Sequence, residues 1–232
     1  MSLKISVVIP CYNEKEVIFD SYKAIKQELE KINQPYEIIF CNDGSIDNTL
    51  EELKKINKCD ENVSIITYFP NRGLGYTYRQ LFAKAKGDII ITMDADLSMT
   101  PRDILPAFIR EIRDADIVVA SRYAGIKSNY PLHRLIPSKL NLFLNRFLFK
   151  IQLTDTNSGF YAIKKGALQK IILISNGFEV HPEFFVKALR ENLKIREIPV
   201  RFIHNVGQGE INILREGPKA FLHTLRLWWK IK

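Results

Sequence analysis

The chain has 232 residues, 46% apolar and 11% aromatic, with only 11 Gly and 10 Pro, which fits one domain with a large core and excludes general disorder. An excess of Lys and Arg over Asp and Glu leaves a formal net charge of +8, compatible with nucleic acid, an anionic membrane surface or a phosphorylated substrate as partner. The longest apolar stretches, 89–93 and 140–149, are short or broken by Asn and Arg, so none reaches the roughly 20 apolar residues of a membrane span.

Ile5 to Ile9 is a β-branched run without polar alternation, bounded by Pro10, and reads as a strand buried on both faces of a parallel sheet. From Glu14 onward, Ile18, Tyr22, Ile25, Leu29 and Ile32 recur at helical spacing until Gln34-Pro35. A second strand (Tyr36 to Cys41), a turn at Asn42-Asp43-Gly44-Ser45 and a second helix marked by Leu50, Leu53 and Ile56 follow. Val63 to Phe69 reads as a third strand, Leu74 to Lys86 as a helix ended by Gly87, and Asp88 to Met93 as a fourth strand. Pro101 opens a helix carrying Ile104, Leu105, Phe108, Ile109 and Ile112, and Ile117 to Ala120 forms a strand. The alternation then gives way to a polar loop, an apolar helix from about Leu135 to Ile151 and the segment Thr154 to Ile163. A helix near Pro182 to Glu191, a strand from Ile195 to Ile203 and a last helix from Pro218 to Trp228-Trp229 complete the chain.

Alternating short strands and helices imply right-handed crossovers, a mostly parallel sheet with helices on both faces, and ligands at the carboxyl ends of strands. The informative residues are therefore those after the strands. Asp94-Ala95-Asp96 follows an apolar strand directly, placing two carboxylates where a hard divalent cation and a diphosphate can meet. Asp114-Ala115-Asp116 is an identical triplet, but it lies at the amino end of a strand and reads as turn chemistry.

Val7-Val8-Ile9-Pro10, Tyr12-Asn13-Glu14, Asn42-Asp43-Gly44-Ser45, Asn71-Arg72-Gly73, Gly87-Asp88 and Asp94-Ala95-Asp96 form an ordered series. With them the chain resembles the inverting family 2 glycosyltransferases of the GT-A fold. Ser121-Arg122-Tyr123, His133-Arg134-Leu135-Ile136 with Ser138, and Asp155 through Ser158-Gly159-Phe160 are similar to the polyprenyl-phosphate sugar synthases of that family, the dolichyl-phosphate mannose synthases among them.

The resemblance implies one α/β GT-A domain over residues 1–232. Residues 1–96 would be its nucleotide-binding half, 97–210 its acceptor half and 217–232 a basic C-terminal helix. It implies a nucleoside-diphosphate sugar donor contacted by Pro10, Tyr12, Glu14, Asn42, Asp43, Asp94 and Ala95. It places Mg²⁺ or Mn²⁺ at Asp94 and Asp96, and a polyprenyl phosphate at Arg122, Arg134 and Ser138. Asp96, Arg122 and Asp155 are the catalytic candidates, Asp155 as the base that a hydroxyl acceptor would need. A lipid phosphate is already anionic and needs no strong base. The chain departs from the synthases at Asn42 (usually Asp), at Ser98 (usually Gln) and at 205–210, where a Gly-Glu-Ser-Lys type loop is replaced by Asn-Val-Gly-Gln-Gly-Glu.

Between Ile117 and Thr154 there are six basic residues and no acidic one, on a segment that also carries Leu140, Leu142, Phe143, Leu144, Phe147, Leu148 and Phe149. That pattern suits a helix lying in a membrane interface with its cations at the headgroups, the alternative being a core helix with snorkelling ends. Residues 217–232 repeat it with Lys219, Arg226, Lys230, Lys232 and Trp228-Trp229, against the alternative of a terminal helix packed on the domain. Together these place the protein at the cytoplasmic face of a membrane as a peripheral partner. Cys11, Cys41 and Cys59, odd in number and without metal-ligand spacing, agree with a reduced, cytoplasmic protein, as does a start with no charged-then-apolar leader.

Nucleic acid is not expected as a partner, because the basic residues coincide with apolar helices and the crevice is acidic. A sugar-phosphate nucleotidyltransferase would carry a Gly-rich phosphate loop where Pro10-Cys11-Tyr12-Asn13 stands. Transfer to a sugar hydroxyl in glycan synthesis stays open as an alternative to the lipid phosphate.

Overall fold

The computed structural model describes residues 3–125 and 132–201, with the backbone alone at 132–138 and 141, together with 222, 224–226, 228 and 229, which are helical. The elements are β1 (Ile5–Cys11), α1 (Ile18–Ile32), β2 (Tyr36–Asp43), α2 (Thr49–Cys59), β3 (Val63–Tyr68), α3 (Leu74–Lys84), β4 (Ile89–Thr92) and α4 (Pro101–Glu111), then β5 (Ile117–Ser121), α5 (Leu132–Phe149), β6 (Tyr161–Lys164), α6 (Lys165–Leu168), α7 (Val180–Arg190) and β7 (Ile195–Pro199). They build one seven-stranded sheet in the order β3-β2-β1-β4-β6-β5-β7. Every pairing is parallel except those of β6, which runs antiparallel to both β4 and β5.

The unbroken apolar runs read from the sequence are explained by two helical layers. Val7, Ile9, Ile38, Phe40 and Ile91 point to one face and join Ile18, Ile25 and Leu29 of α1 and Ile104 and Phe108 of α4. Val8, Ile39, Ile90 and Val119 point to the other and meet Tyr78 and Leu81 of α3 and Phe184 and Phe185 of α7. Each such side chain, removed from water, stabilises the fold by about 1.5–3 kcal/mol, so neither face of a central strand can turn polar cheaply.

Several boundaries differ from the sequence expectation, for local reasons. β1 runs through Pro10 to Cys11 because its ladder with β4 stops at Val8 opposite Thr92, so the missing Pro10 N–H breaks no bond on that side. α1 begins at Ile18 instead of Glu14, since Asn13 takes a positive φ of 59° and the Glu14 carbonyl first closes a turn with Val17 and Ile18. α3 stops at Lys84, and Gly87 then packs so closely on β1 that a Cβ would lie 2.6 Å from the Ser6 nitrogen. The Thr154 to Ile163 segment supplies β6. The second Asp-Ala-Asp triplet is a turn: Asp114 is exposed and the Asp116 carboxylate accepts the Lys194 N–H at 2.9 Å.

α5 spans Leu132–Phe149, earlier than the expected Leu135 to Ile151, and buries Asn145 while leaving Leu140, Phe143 and Phe147 exposed. It is therefore neither a core helix nor, from these contacts alone, an interfacial one. The expected loop at 205–210 and the start of the last helix at Pro218 lie outside the described residues, as do the side chains of Arg134 and Ser138.

Candidate active site

The carboxyl ends of β1, β2 and β4 lie side by side, next to the point where the strand order reverses between β1 and β4. Two of the sequence motifs prove to be one structure here. The Asp43 carboxylate accepts the Arg72 N–H at 2.7 Å and the Gly73 N–H at 3.0 Å, and Asn71 Nδ2 donates to the Asp43 carbonyl at 3.0 Å. Gly44, at φ +67°, lies where a Cβ would come within 2.5 Å of the Asn71 nitrogen, so no larger residue fits. Asp43 thus braces the Asn71-Arg72-Gly73 loop from a buried position.

Asn42 is also buried; its Nδ2 donates to Thr67 Oγ1 at 3.1 Å and its Oδ1 accepts the Ser45 N–H at 3.3 Å. The β1 and β2 loops are laced by Asn13 N–H to Ser45 Oγ (3.0 Å), Ile46 N–H to Asn13 Oδ1 (2.9 Å) and Glu14 N–H to Thr49 Oγ1 (2.8 Å). Pro10 is half-buried above them, and Tyr12, 45% exposed, presents a ring free to stack.

Glu14, Asp94 and Asp96 crowd this crevice. Burial first, then the charges of Asp96 and Asp94, push the Glu14 carboxyl up to about 7. Burial and the Asp96 charge likewise raise Asp94 to about 7 against the opposing pull of Arg122. Asp96 accepts the Ser98 N–H at 2.9 Å, the backbone of Ser98 and not its hydroxyl being the group engaged. Ala95, between Asp94 and Asp96, is buried and belongs to the core under the sheet's α1 and α4 face. Gly159 packs against Asp94, where a Cβ would come within 2.9 Å of Oδ1.

Three carboxylates brought together, with the Asp96 charge adding to the rise of both Glu14 and Asp94, form an anionic field that a divalent cation relieves, and their hard oxygen donors fit Mg²⁺ or Mn²⁺. No group of three or more His, Cys, Asp or Glu among the described residues is arranged to hold a metal ion by itself. Any ion at Asp94 and Asp96 would draw its remaining ligands from elsewhere, as an ion shared with a diphosphate does.

Across β6 the chemistry inverts. Arg122, just after β5, forms a two-pronged ion pair with Asp155, Nε to Oδ2 at 2.7 Å and Nη2 to Oδ1 at 2.8 Å, and its own N–H adds a bond of 3.3 Å. Burial alone would lift the Asp155 carboxyl, but the Arg122 guanidinium and the N–H groups of Arg122 and Asn157 hold it below the usual carboxylate range. A hydroxyl-activating base needs a higher affinity for protons and access to substrate; Asp155 is 1% exposed, with both oxygens bonded. The structure makes it the residue that aims Arg122.

Sequence reading missed the layer that supports this pair. Glu197 on β7 accepts the N–H of Thr154 at 2.8 Å, its hydroxyl at 2.6 Å and the Asp155 N–H at 3.2 Å, and Ser121 Oγ meets Thr154 Oγ1 at 2.6 Å. A glutamate within the alternating β7 strand was the available signal. His181 on α7 was also missed. Burial and the Arg122 charge lower it to about 4, and its Nδ1 has no hydrogen-bond partner among the described residues.

The site is thus a switch-point crevice of an α/β sheet, with an acidic floor and an arginine held beside it. Residues 6–172 match the family model described as glycosyl transferase family 2, and the chain belongs to that family. It is 33% identical over 205 residues to a dolichol-phosphate mannosyltransferase of Pyrococcus furiosus, covering 86% of this chain and 56% of that protein. To the protein of the same name from Saccharomyces cerevisiae it is 28% identical over 226 residues, covering 91% and 82%. The chain thus spans little more than half of the Pyrococcus relative. The fold is also that of glucosyl-3-phosphoglycerate synthase from Mycobacterium tuberculosis, solved with Mn²⁺, uridine diphosphate and glucosyl-3-phosphoglycerate. The TM-score is 0.71 at 20% identity, over 96% of this chain and 78% of that one.

Proposed function

We propose that the chain catalyses inverting transfer of a sugar, of mannose or glucose type, from a nucleoside diphosphate to a polyprenyl phosphate at the cytoplasmic face of a membrane. The observation that carries this reading is the pairing of an acidic crevice with an arginine fixed by a buried carboxylate: one side suits a metal-bound diphosphate, the other an anionic acceptor. The names of the Pyrococcus and Saccharomyces relatives support the acceptor, and the bound Mn²⁺ and uridine diphosphate of the Mycobacterium enzyme support the donor class.

Tyr12 would stack on the base, with Pro10, Glu14, Asn42 and the Ala95 backbone lining the nucleotide and Asp43 holding the loop beside it. Asp94 and Asp96 would hold Mg²⁺ or Mn²⁺, whose chemistry is to offset charge on the departing diphosphate. Arg122, preorganised by Asp155, would fix the acceptor phosphate so that its oxygen attacks the anomeric carbon opposite the leaving group, with Arg134 and Ser138 as its expected partners. Because Asp155 is committed to Arg122, a phosphate acceptor that brings its own negative oxygen fits better than a sugar hydroxyl.

The exposed Leu140, Phe143 and Phe147 of α5, beside the exposed Lys139 and Arg146, support a peripheral membrane contact. Among the described residues no helix is long and apolar enough to cross a membrane.

A thermal-shift panel of GDP-, UDP- and dTDP-sugars with Mn²⁺ tests the donor: one member raises the melting temperature and Asp96→Asn removes the rise. No shift with any donor overturns the assignment. Transfer to a short polyprenyl phosphate should collapse in Arg122→Ala, whereas equal transfer to a free sugar hydroxyl would overturn the acceptor.

A further inference from the structure

The helical layer of α3, α7 and the end of α5 carries an outward apolar surface that neither half of the crevice uses. In the segment after α6, Ile171 and Leu173 are buried, while Ile172 and Ile174 stand outward at 74% and 47% exposure and Phe178 beyond them at 74%. The backbone bearing them is fastened at both ends. Glu183 accepts the Ile174 and Ser175 N–H groups at 2.8 Å each, and Lys187 binds both Glu183 and the Ile172 carbonyl. Arg79 holds the Ser175 carbonyl and the Asn176 side chain, and the Gly75 N–H donates to the Asn176 carbonyl at 2.7 Å. Gly75 has no room for a Cβ, which would meet the Ser175 oxygen at 2.1 Å. Exposed isoleucines and a phenylalanine on so fixed a platform lose little conformational entropy when a partner covers them.

On the other side of α7 the apolar surface continues. Leu189 is 38% exposed and Phe147 on α5 74%, and an open groove of about 640 Å³ runs between α5, α7 and Trp228, with Lys150 and Arg190 among its lining residues. Exposed cations outnumber exposed acids around this surface: Lys150, Lys170 and Arg190 are exposed, against the exposed Glu191 at the end of α7, the half-buried Glu179 and the buried Glu183. Apolar side chains spread over separate elements on both sides of a helix, with cations among them, match a planar, deformable, anionic apolar phase better than a single protein knob.

We propose that residues 172–178 form a second lipid-contacting element, inserting Ile172, Ile174 and Phe178 into the interfacial layer of an anionic bilayer alongside the exposed stripe of α5. This rests on the membrane-face reading above and adds an anchor that the two basic stretches do not contain.

Flotation of the full chain with phosphatidylcholine vesicles, with and without phosphatidylserine, tests it. The double variant Ile172→Ser, Phe178→Ser should fold as the parent does, both residues being exposed, and should lose roughly tenfold or more in partitioning. Undiminished binding of that variant, where the parent binds and Phe143→Ser, Phe147→Ser does not, overturns the second element and leaves the membrane reading standing. No vesicle binding by the parent overturns both. A bimane label on Phe178→Cys in a Cys59→Ser background should shift to the blue on phosphatidylserine vesicles and be quenched by brominated lipid. A label that stays in water while the protein is bound overturns the proposal, as does a concentration-dependent dimer abolished by the double variant.

Discussion

Asp94 and Asp155 are the same side chain on either side of β6, both largely removed from water, and their surroundings drive them in opposite directions. Burial first and then the Asp96 charge raise the Asp94 carboxyl to about 7. Burial pushes Asp155 the same way, but Arg122 at 2.7 Å holds it below the usual carboxylate range. The partner, and not the depth, decides the sign. The acidic half gathers like charges that add to the rise of two of its carboxyls, and the basic half is a closed ion pair.

Breaking the finished pair has the largest expected effect. Asp155→Ala removes the carboxylate that grips the Arg122 guanidinium, whose side chain is 13% exposed, and should cost about 3–5 kcal/mol in denaturant unfolding, together with transfer to polyprenyl phosphate. Next comes His181, buried and neutral beside the pair. A base whose folded pKa is lowered to about 4 from an ordinary 6.5 loses stability as pH falls between those values, because the unfolded chain takes up the proton first. The loss is about 3 kcal/mol from pH 6.5 to 4, and His181→Leu should flatten that part of the urea-midpoint profile.

The acidic half should respond the other way. In metal-free protein Asp94→Asn removes like-charge crowding and should raise stability at pH 7 by about 1–3 kcal/mol while abolishing the metal-dependent thermal shift. The carboxyls raised to about 7 contribute stability that is present at low pH and lost as pH climbs from about 4 to 7. The gain from Asp94→Asn should therefore shrink toward pH 4. Equal destabilisation by Asp94→Asn and Asp155→Ala would break the comparison. The smallest change in stability, under about 1 kcal/mol, is expected from Gly159→Ala, whose new Cβ pushes on Asp94 Oδ1; its signature is weaker Mn²⁺ dependence of donor binding.

The half of the sheet built on β1, β2 and β4 was largely legible in the sequence. Unbroken β-branched runs followed at once by Pro10, Asn42 and Asp94 mark strand ends, and parallel crossovers bring those ends to one edge whatever the helices between them contain. Asp43 was legible as part of a motif, but its commitment to the Arg72 and Gly73 N–H groups was not, because the partners lie 29 and 30 residues away.

After β5 the departures cluster. Thr154 to Ile163 has no periodicity that distinguishes an antiparallel strand from a loop, and it became β6 because β4 and β5 left a two-sided gap that an in-register strand fills. Asp155 read as a base candidate until the fold brought Arg122, 33 residues away, onto both of its oxygens.

The class of fold, the acidic strand ends and the segregation of basic charge into two apolar stretches follow from residue order, since each depends on spacing within one element or between neighbours. The tertiary structure alone decided which carboxylate faces a charge of its own sign and which faces an arginine. It also decided which apolar residues, Ile172, Ile174 and Phe178 among them, were left without cover. Electrostatic sign and exposure depend on through-space neighbours that the chain brings together only when the sheet closes.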